Sequence, residues 1–120
     1  MLNHVALRTK KFDKLVDFYE TCLKPLGYAK LSTYEGGAGF GKGDVSSLWI
    51  GDSKEGPSSV HLAFDSPTRK AVDAFYKAAI EGGAKDNGKP AVRADYSPNY
   101  YAAFVIDPDG NNIEAVCLKA

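Results

Sequence analysis

The sequence has no excess of charge of either sign, because 15 lysines and arginines are balanced by 15 aspartates and glutamates. A chain without a basic stripe lacks the electrostatic surface that binds nucleic acid or an anionic membrane. Its apolar runs are also short, and none approaches the roughly 20 residues of a membrane-spanning helix. We therefore expect a small molecule or another protein as the partner, with no nucleic acid and no membrane.

Cysteine is scarce, since Cys22 and Cys117 are the only two. Met1 leads directly into alternating apolar residues, without a basic segment and a long apolar one, so no secretory signal is expected. This pattern is typical of a cytoplasmic protein with reduced thiols. Both cysteines lie in apolar patterns, and we expect them to fill the core rather than act as nucleophiles.

The composition is that of a globular domain, with 44% hydrophobic and 25% charged residues over 120 positions. The most informative stretch lies near its end. Residues 100–106 are rich in aromatic and β-branched side chains, residues 107–110 read Asp-Pro-Asp-Gly, and residues 112–117 alternate, which predicts a hairpin. Glu114 stands in the middle of the second strand. A carboxylate buried there needs a partner, which is a cation, a metal or water.

The chain repeats itself with an offset of 57 residues. His4 in the segment NHVAL corresponds to His61 in VHLAF, and each histidine lies 14 residues before a Phe-Tyr pair. Each half alternates as a strand, then takes helical spacing, and then breaks into three extended pieces. The repeat indicates a duplicated unit whose halves pack together.

We therefore predict one domain over the whole chain, an α+β fold of two tandem βαβββ modules. Module one covers residues 1–52, a linker covers 51–58, and module two covers 58–120. Helices are expected at about 11–24 and 67–81. The eight strands are expected to form a curved, barrel-like mixed sheet with the helices outside.

Two finer predictions concern module two. Ser66 is expected to cap its helix, with Pro67 at the first helical position. Residues 91–96 are expected to form a strand, followed by a turn at residues 97–99.

The repeat also predicts a site. If the modules pack about a local two-fold axis, His4 and His61 point into one concavity, and the last strand brings Glu114 to it. Two histidines and one carboxylate form a ligand set that leaves open positions on a divalent metal ion. A histidine on a strand is more often a hydrogen-bonded residue than a ligand, so a site without metal is the alternative.

The segments NHVAL, FYETCLKPLGY, VHLAF and DPDGNNIEAV resemble those of the vicinal-oxygen-chelate superfamily. That superfamily contains glyoxalase I, extradiol dioxygenases, fosfomycin-resistance enzymes and bleomycin-resistance proteins. The resemblance covers essentially the whole chain and implies a homodimer. It also implies that His4, His61 and Glu114 hold a divalent ion (Fe, Mn, Zn or Ni), and that Glu114 is the candidate catalytic residue.

Aligning Gly43 on Gly110 places Ser47 opposite Glu114, at the position of a fourth ligand. Glyoxalase-type sites use four protein ligands, whereas the dioxygenase and fosfomycin-type sites use two histidines and one glutamate. The resemblance therefore implies the second kind of ligand set for this chain.

Further residues are candidates for contact with the ligand. An arginine among tyrosines suits a small anionic or aromatic molecule. The alternative is that these tyrosines are ordinary strand residues with hydrated hydroxyls. The candidate substrate-binding residues are Trp49, Arg93, Tyr96, Tyr100 and Tyr101.

The sequence leaves two functions open, and it leaves open whether the protein is an enzyme. The first is metal-dependent chemistry of the lyase or dioxygenase type, in which the ion acts as a Lewis acid on a small oxygenated substrate. The second is metal-free binding or sequestration of a small molecule, as the bleomycin-resistance proteins do.

Overall fold

The computed structural model describes residues 2–120, in which two helices and eight strands follow one another in the predicted order. Module one consists of β1 (Val5–Thr9), α1 (Phe12–Leu23), a 3₁₀ turn (Lys24–Leu26), β2 (Ala29–Tyr34), β3 (Gly37–Lys42) and β4 (Val45–Asp52). Module two consists of β5 (His61–Asp65), α2 (Arg69–Glu81), β6 (Lys85–Val92), β7 (Tyr101–Ile106) and β8 (Asn112–Cys117).

The two modules share one sheet topology. The first sheet has the strand order β1-β4-β3-β2, and the second has the order β5-β8-β7-β6. In each sheet the first strand runs parallel to the fourth, and the other pairs are antiparallel. The predicted α+β fold of two βαβββ modules is confirmed, with one correction. The eight strands form two separate four-stranded sheets that do not close, rather than a single barrel-like sheet.

The helices cover one face of the sheets and form the core with them. Leu15, Tyr19 and Cys22 of α1 are fully buried, as are Val72 and Phe75 of α2. This spacing places the apolar side chains of each helix on one side, as the periodicity predicts. The opposite face of each sheet carries no helix, and Trp49 of the first sheet and Glu114 of the second lie on it.

Both cysteines are free and buried in this core, as predicted. Burial raises the pKa of the Cys22 thiol, which keeps it protonated and unreactive. Within residues 2–120 no helix has the length and apolar character that crossing a membrane requires.

Two details of module two differ from the predictions. Thr68, not Ser66, caps α2, because its Oγ1 accepts a hydrogen bond from the Ala71 N–H at 3.0 Å. Ser66 and Pro67 both precede α2, which begins at Arg69, and the Ser66 N–H donates to the Val116 carbonyl at 2.8 Å. The predicted strand at 91–96 is mostly turn, and β6 lies earlier, in a segment whose charges and breakers concealed it.

A buried network joins the modules at the Asp-Pro-Asp-Gly turn. The turn itself is confirmed by the hydrogen bond from the Gly110 N–H to the Asp107 carbonyl at 3.0 Å. The Asp107 carboxylate accepts from the Asn111 N–H and side-chain amide, and from the Tyr19 hydroxyl at 2.5 Å. Because Tyr19 belongs to α1 and Asp107 to module two, this contact ties the halves together.

Replacing Tyr19 by Phe should destabilise the protein by about 1–3 kcal/mol, because the buried Asp107 carboxylate then loses one of its donors. Urea unfolding followed by circular dichroism measures the change. Tyr34→Phe is the matched control, since Tyr34 is 63% exposed, and it should change the free energy of unfolding by less than about 0.5 kcal/mol. Equal effects of the two substitutions would contradict a stabilising role of the network.

Candidate functional site

The open face of the second sheet brings several predicted residues together. In the parallel pairing of β5 with β8, Ala63 lies beside Glu114 and His61 lies beside Asn112. In the antiparallel pairing of β7 with β8, Phe104 lies beside Glu114. Since neighbours in adjacent strands share a face, Glu114 stands between Ala63 and Phe104 on this open face.

Glu114 has two partners for its carboxylate. The residue is 3% exposed. Its Oε1 lies 3.2 Å from His61 Nε2, and its Oε2 accepts a hydrogen bond from the Tyr100 hydroxyl at 2.5 Å. Both oxygens are therefore engaged, which explains how a carboxylate is tolerated at a buried position in the middle of a strand.

The imidazole of His61 is held in one orientation. Its Nδ1 lies 2.9 Å from the Asn112 carbonyl oxygen, and because a carbonyl only accepts, Nδ1 carries the hydrogen. In the neutral ring Nε2 then presents a lone pair to Glu114 Oε1. Two electron-rich atoms at 3.2 Å attract each other only through a cation between them, which is either a proton on Nε2 or a metal ion.

The hydroxyl of Tyr100 is a donor over the whole physiological range. Burial, together with the hydrogen bond to Glu114 and the charge of that carboxylate, raises the pKa of Tyr100 to about 12. The neutral phenol is thus the stable form beside Glu114, and it keeps one carboxylate oxygen supplied with a proton donor.

An aromatic and a cationic side chain extend this face. The ring of Phe104 stacks against His61, with centroids 6.3 Å apart, and the Arg93 guanidinium lies 5.4 Å from the centroid of the same ring. The ring of Tyr96 meets Tyr100 edge-on at 5.0 Å. The predicted residues Arg93, Tyr96 and Tyr100 therefore lie around the His61–Glu114 pair.

Phe104 was missed from the sequence, and the candidate Tyr101 lies on the helix-covered face, away from Glu114. Tyr101 packs toward α2, where its hydroxyl donates to Asp73 Oδ1 at 2.6 Å and Arg69 lies over its ring. Successive residues of a strand point to opposite faces. Alternation along β7, counted from the partner of Glu114, would have selected Phe104 and excluded Tyr101.

His4 lies in a different place from the other two predicted ligands. It is exposed, precedes β1, and has its Nδ1 2.7 Å from Asn3 Oδ1. It borders a cleft of about 210 Å³ between the first sheet and β5, together with Ser47 and Leu62. Within residues 2–120 no three His, Cys, Asp or Glu side chains form a group that could hold a metal ion. One copy of the chain therefore joins only His61 and Glu114.

The strand register corrects the alignment of Ser47 with Glu114. Ala6 pairs with Trp49 in module one, as Ala63 pairs with Glu114 in module two. Trp49, not Ser47, therefore occupies the position equivalent to Glu114. The alignment on glycines failed because two residues separate β3 from β4, whereas five separate β7 from β8.

Trp49 forms an aromatic pair on the open face of the first sheet. Its ring lies nearly parallel to that of Tyr34, at 16° and with centroids 6.0 Å apart. It also lies against the backbone of Gly39, where an added Cβ would come within 2.9 Å of the indole. Module one thus carries an aromatic surface where module two carries a histidine and a carboxylate.

Comparison with known proteins gives one family. The family model described as Glyoxalase/Bleomycin resistance protein/Dioxygenase superfamily matches residues 1–115. A search of curated proteins finds no match to the chain.

Solved structures of similar fold cover nearly the whole chain. A glyoxalase/bleomycin resistance protein from Albidiferax ferrireducens T118 has a TM-score of 0.85 at 24% identity, covering 98% of each chain. A glyoxalase/bleomycin resistance protein/dioxygenase family enzyme from Burkholderia phytofirmans PsJN has a TM-score of 0.75 at 19% identity, again covering 98% of each chain. A glyoxalase/bleomycin resistance protein/dioxygenase from Nocardioides has a TM-score of 0.65 at 24% identity, covering 98% of this chain and 82% of that chain. At these identities the likeness establishes the fold.

The raised pKa of Tyr100 should be visible in an alkaline titration. An ordinary tyrosine ionises near pH 10, so the difference in absorbance near 295 nm between the wild type and Tyr100→Phe should develop around pH 12. In a Glu114→Gln background the same difference should appear at lower pH, because the carboxylate charge that raises the pKa of Tyr100 is gone.

The raised pKa of Tyr100 also makes the stability of the protein depend on pH. The folded-state pKa is higher than the unfolded one, so this stabilisation is complete below about pH 10 and is lost as pH rises toward 12. Tyr100→Phe should therefore lose less stability than the wild type between these pH values. Ionisation of Tyr100 near pH 10 would refute the contact with Glu114.

Proposed function

The chain belongs to the glyoxalase/bleomycin resistance protein/dioxygenase superfamily, and we propose that it binds a small oxygenated molecule at a divalent metal ion held by His61 and Glu114. The observation that supports this most strongly is the 3.2 Å approach of His61 Nε2 to Glu114 Oε1. The reaction type that we propose is that of a metal-dependent lyase or dioxygenase.

The two donor atoms fit a metal ion in chemistry and in spacing. Ligands at about 2.0–2.2 Å from one ion and at right angles to each other lie about 3 Å apart, close to the observed separation. The hydrogen bond from His61 Nδ1 to a main-chain carbonyl is the outer-shell contact that metal-bound histidines usually make. An imidazole and a carboxylate suit Fe, Mn, Zn and Ni.

The third predicted ligand, His4, would have to come from a second copy of the chain. His4 is exposed and does not complete a three-residue group with His61 and Glu114 within residues 2–120. We therefore also propose a homodimer in which His4 of one copy approaches the His61–Glu114 pair of the other. The edge strands of two open sheets are surfaces that an assembly of this kind would protect.

The residues of the chain have separate roles in this proposal. A bound ion would supply Lewis acidity toward two neighbouring oxygens of the ligand. Glu114 would hold the ion or, as the alternative, would leave it and accept a proton from the ligand. Tyr100 fixes Glu114 Oε2 and, with its raised pKa, does not compete for that proton as a base. Phe104 provides an apolar wall.

A second candidate function is metal-free binding of a planar molecule. Trp49 at the position equivalent to Glu114 favours it, because its ring and that of Tyr34 form an aromatic surface. In this case a proton on His61 Nε2 would neutralise Glu114. Quenching of the single tryptophan by an aromatic ligand, in protein stripped of metal, would support this function, and loss of the quenching in Tyr34→Ala would locate the surface.

Calorimetric titration of metal-stripped protein with Zn²⁺, Mn²⁺, Ni²⁺ and Fe²⁺ tests the metal site. We expect at least one ion to bind, and Glu114→Gln to remove the binding because it takes away the charged ligand. Tyr100→Phe should weaken it by about 10–100-fold, as losses of outer-shell partners do.

Asp65→Asn is the matched control. Asp65 is an exposed carboxylate on the same strand and the same face as His61, but it pairs with Val116. This substitution should leave metal affinity unchanged. If none of the four ions binds the wild type, or if Asp65→Asn weakens binding as much as Glu114→Gln does, the metal function is wrong.

A further inference from the structure

Arg93 makes no direct ion pair in the part of the chain that the structure describes. Within residues 2–120 two pairs of basic and acidic side chains come within 4.0 Å, Lys30 with Glu20 and His61 with Glu114. Arg93 is in neither pair, although it is half-buried, and its charge acts on Asp86 only from beyond this distance. A partly desolvated guanidinium without a carboxylate in contact is a common means of recognising an anion.

The guanidinium is nevertheless fixed in position. Its Nη2 donates to the Lys89 carbonyl at 2.5 Å, and the group lies over the Phe104 ring. Gly88 makes this packing possible, because a Cβ there would lie 3.1 Å from Nη2 and 3.0 Å from Phe104 Cδ1. The N–H of Arg93 itself donates to the Tyr100 carbonyl at 2.7 Å, which anchors the base of the side chain. An arginine held in this way is preorganised for binding.

Part of its donor set is unused. The hydrogen bonds of the guanidinium, to the carbonyls of Lys89 and Ala102, both come from Nη2. Within the described residues Nε is buried and has no hydrogen-bond partner. A buried donor without an acceptor is unfavourable. Nη1 also makes no hydrogen bond within the described residues, and it is not buried as Nε is. The Nη1–Nη2 end of the planar fork matches the two oxygens of a carboxylate.

The location of Arg93 connects it with the proposed function. Phe104, beneath the guanidinium, is the neighbour of Glu114 across the β7–β8 pair. We propose that Arg93 binds the carboxylate of the small molecule taken by this face, so that the ligand class is a small organic monocarboxylate. A dianion such as phosphate is disfavoured, because the site offers one guanidinium and has the Glu114 carboxylate nearby. This inference rests on the proposed function in assigning both groups to one ligand.

The test uses benzoate as the probe, benzamide as its neutral isostere, and inorganic phosphate, each titrated into metal-stripped and metal-loaded protein. The Arg93 Nε–Hε signal, assigned by its absence in Arg93→Lys, is followed by NMR. We expect benzoate to shift this signal and benzamide to leave it unmoved. Arg93→Lys should weaken benzoate binding about ten-fold, because an ammonium cannot form the bidentate contact.

Arg69→Lys is the matched control, since Arg69 also lies over an aromatic ring of β7, that of Tyr101, but on the helix-covered face. It should bind benzoate as the wild type does. Failure of benzoate to shift the Arg93 signal, equal losses in the two variants, or a shift by phosphate in place of benzoate would overturn the carboxylate assignment. The benzoate titration of metal-stripped protein needs no ion. If benzoate does not bind but a metal ion does, the carboxylate assignment is wrong and the proposed metal function stands. Success of the benzoate titration without metal binding would leave Arg93 as the anchor of a metal-free site.

Discussion

The buried carboxylate of Asp107 is the contact on which the candidate site depends. It accepts hydrogen bonds from the main chain and side chain of Asn111 and from a tyrosine of α1. Asn111 Oδ1 in turn accepts from the N–H of Val60, at the entrance of β5. The parallel register of β5 with β8 is therefore fixed at its first residue, and that register brings His61 within 3.2 Å of Glu114. A polar network next to the ligand face thus sets the geometry of that face.

The two modules show how one backbone plan carries different chemistry. Equivalent register positions hold Trp49 in one sheet and Glu114 in the other. The carboxylate can be buried because Tyr100 and His61 serve its two oxygens, whereas the indole needs only a flat neighbour and the absence of a side chain at Gly39. The chain therefore has one polar and one aromatic open face. The polar face carries the proposed metal site, and the aromatic face is the surface of the alternative, metal-free function.

Much of the fold could be predicted from the sequence, because the same pattern of one strand, one helix and three strands occurs in both halves. The site could be predicted only in part. Glu114 was identifiable, since a carboxylate among apolar strand residues requires a partner. Ser47 was aligned with Glu114 in place of Trp49 because an alignment on glycines takes no account of the turn length. Tyr101 was named beside Tyr100 as a candidate, although successive strand residues point to opposite faces and Tyr101 contacts α2. The strand containing Gly88 has the composition of a loop and pairs because β7 offers it a free edge.

The pairing of first with fourth strands has a consequence for how the chain reaches its native state. Ala63 and Glu114 are neighbours in space but 51 positions apart in sequence. The first strand of each sheet therefore has no pairing partner until the last strand of its module has been synthesised. Contacts of this range make folding slow. On the ribosome, module one can complete its sheet at Asp52, yet the Tyr19 hydroxyl lacks its native acceptor until Asp107 emerges. The final packing of module one during synthesis therefore depends on residues of module two, which are synthesised last.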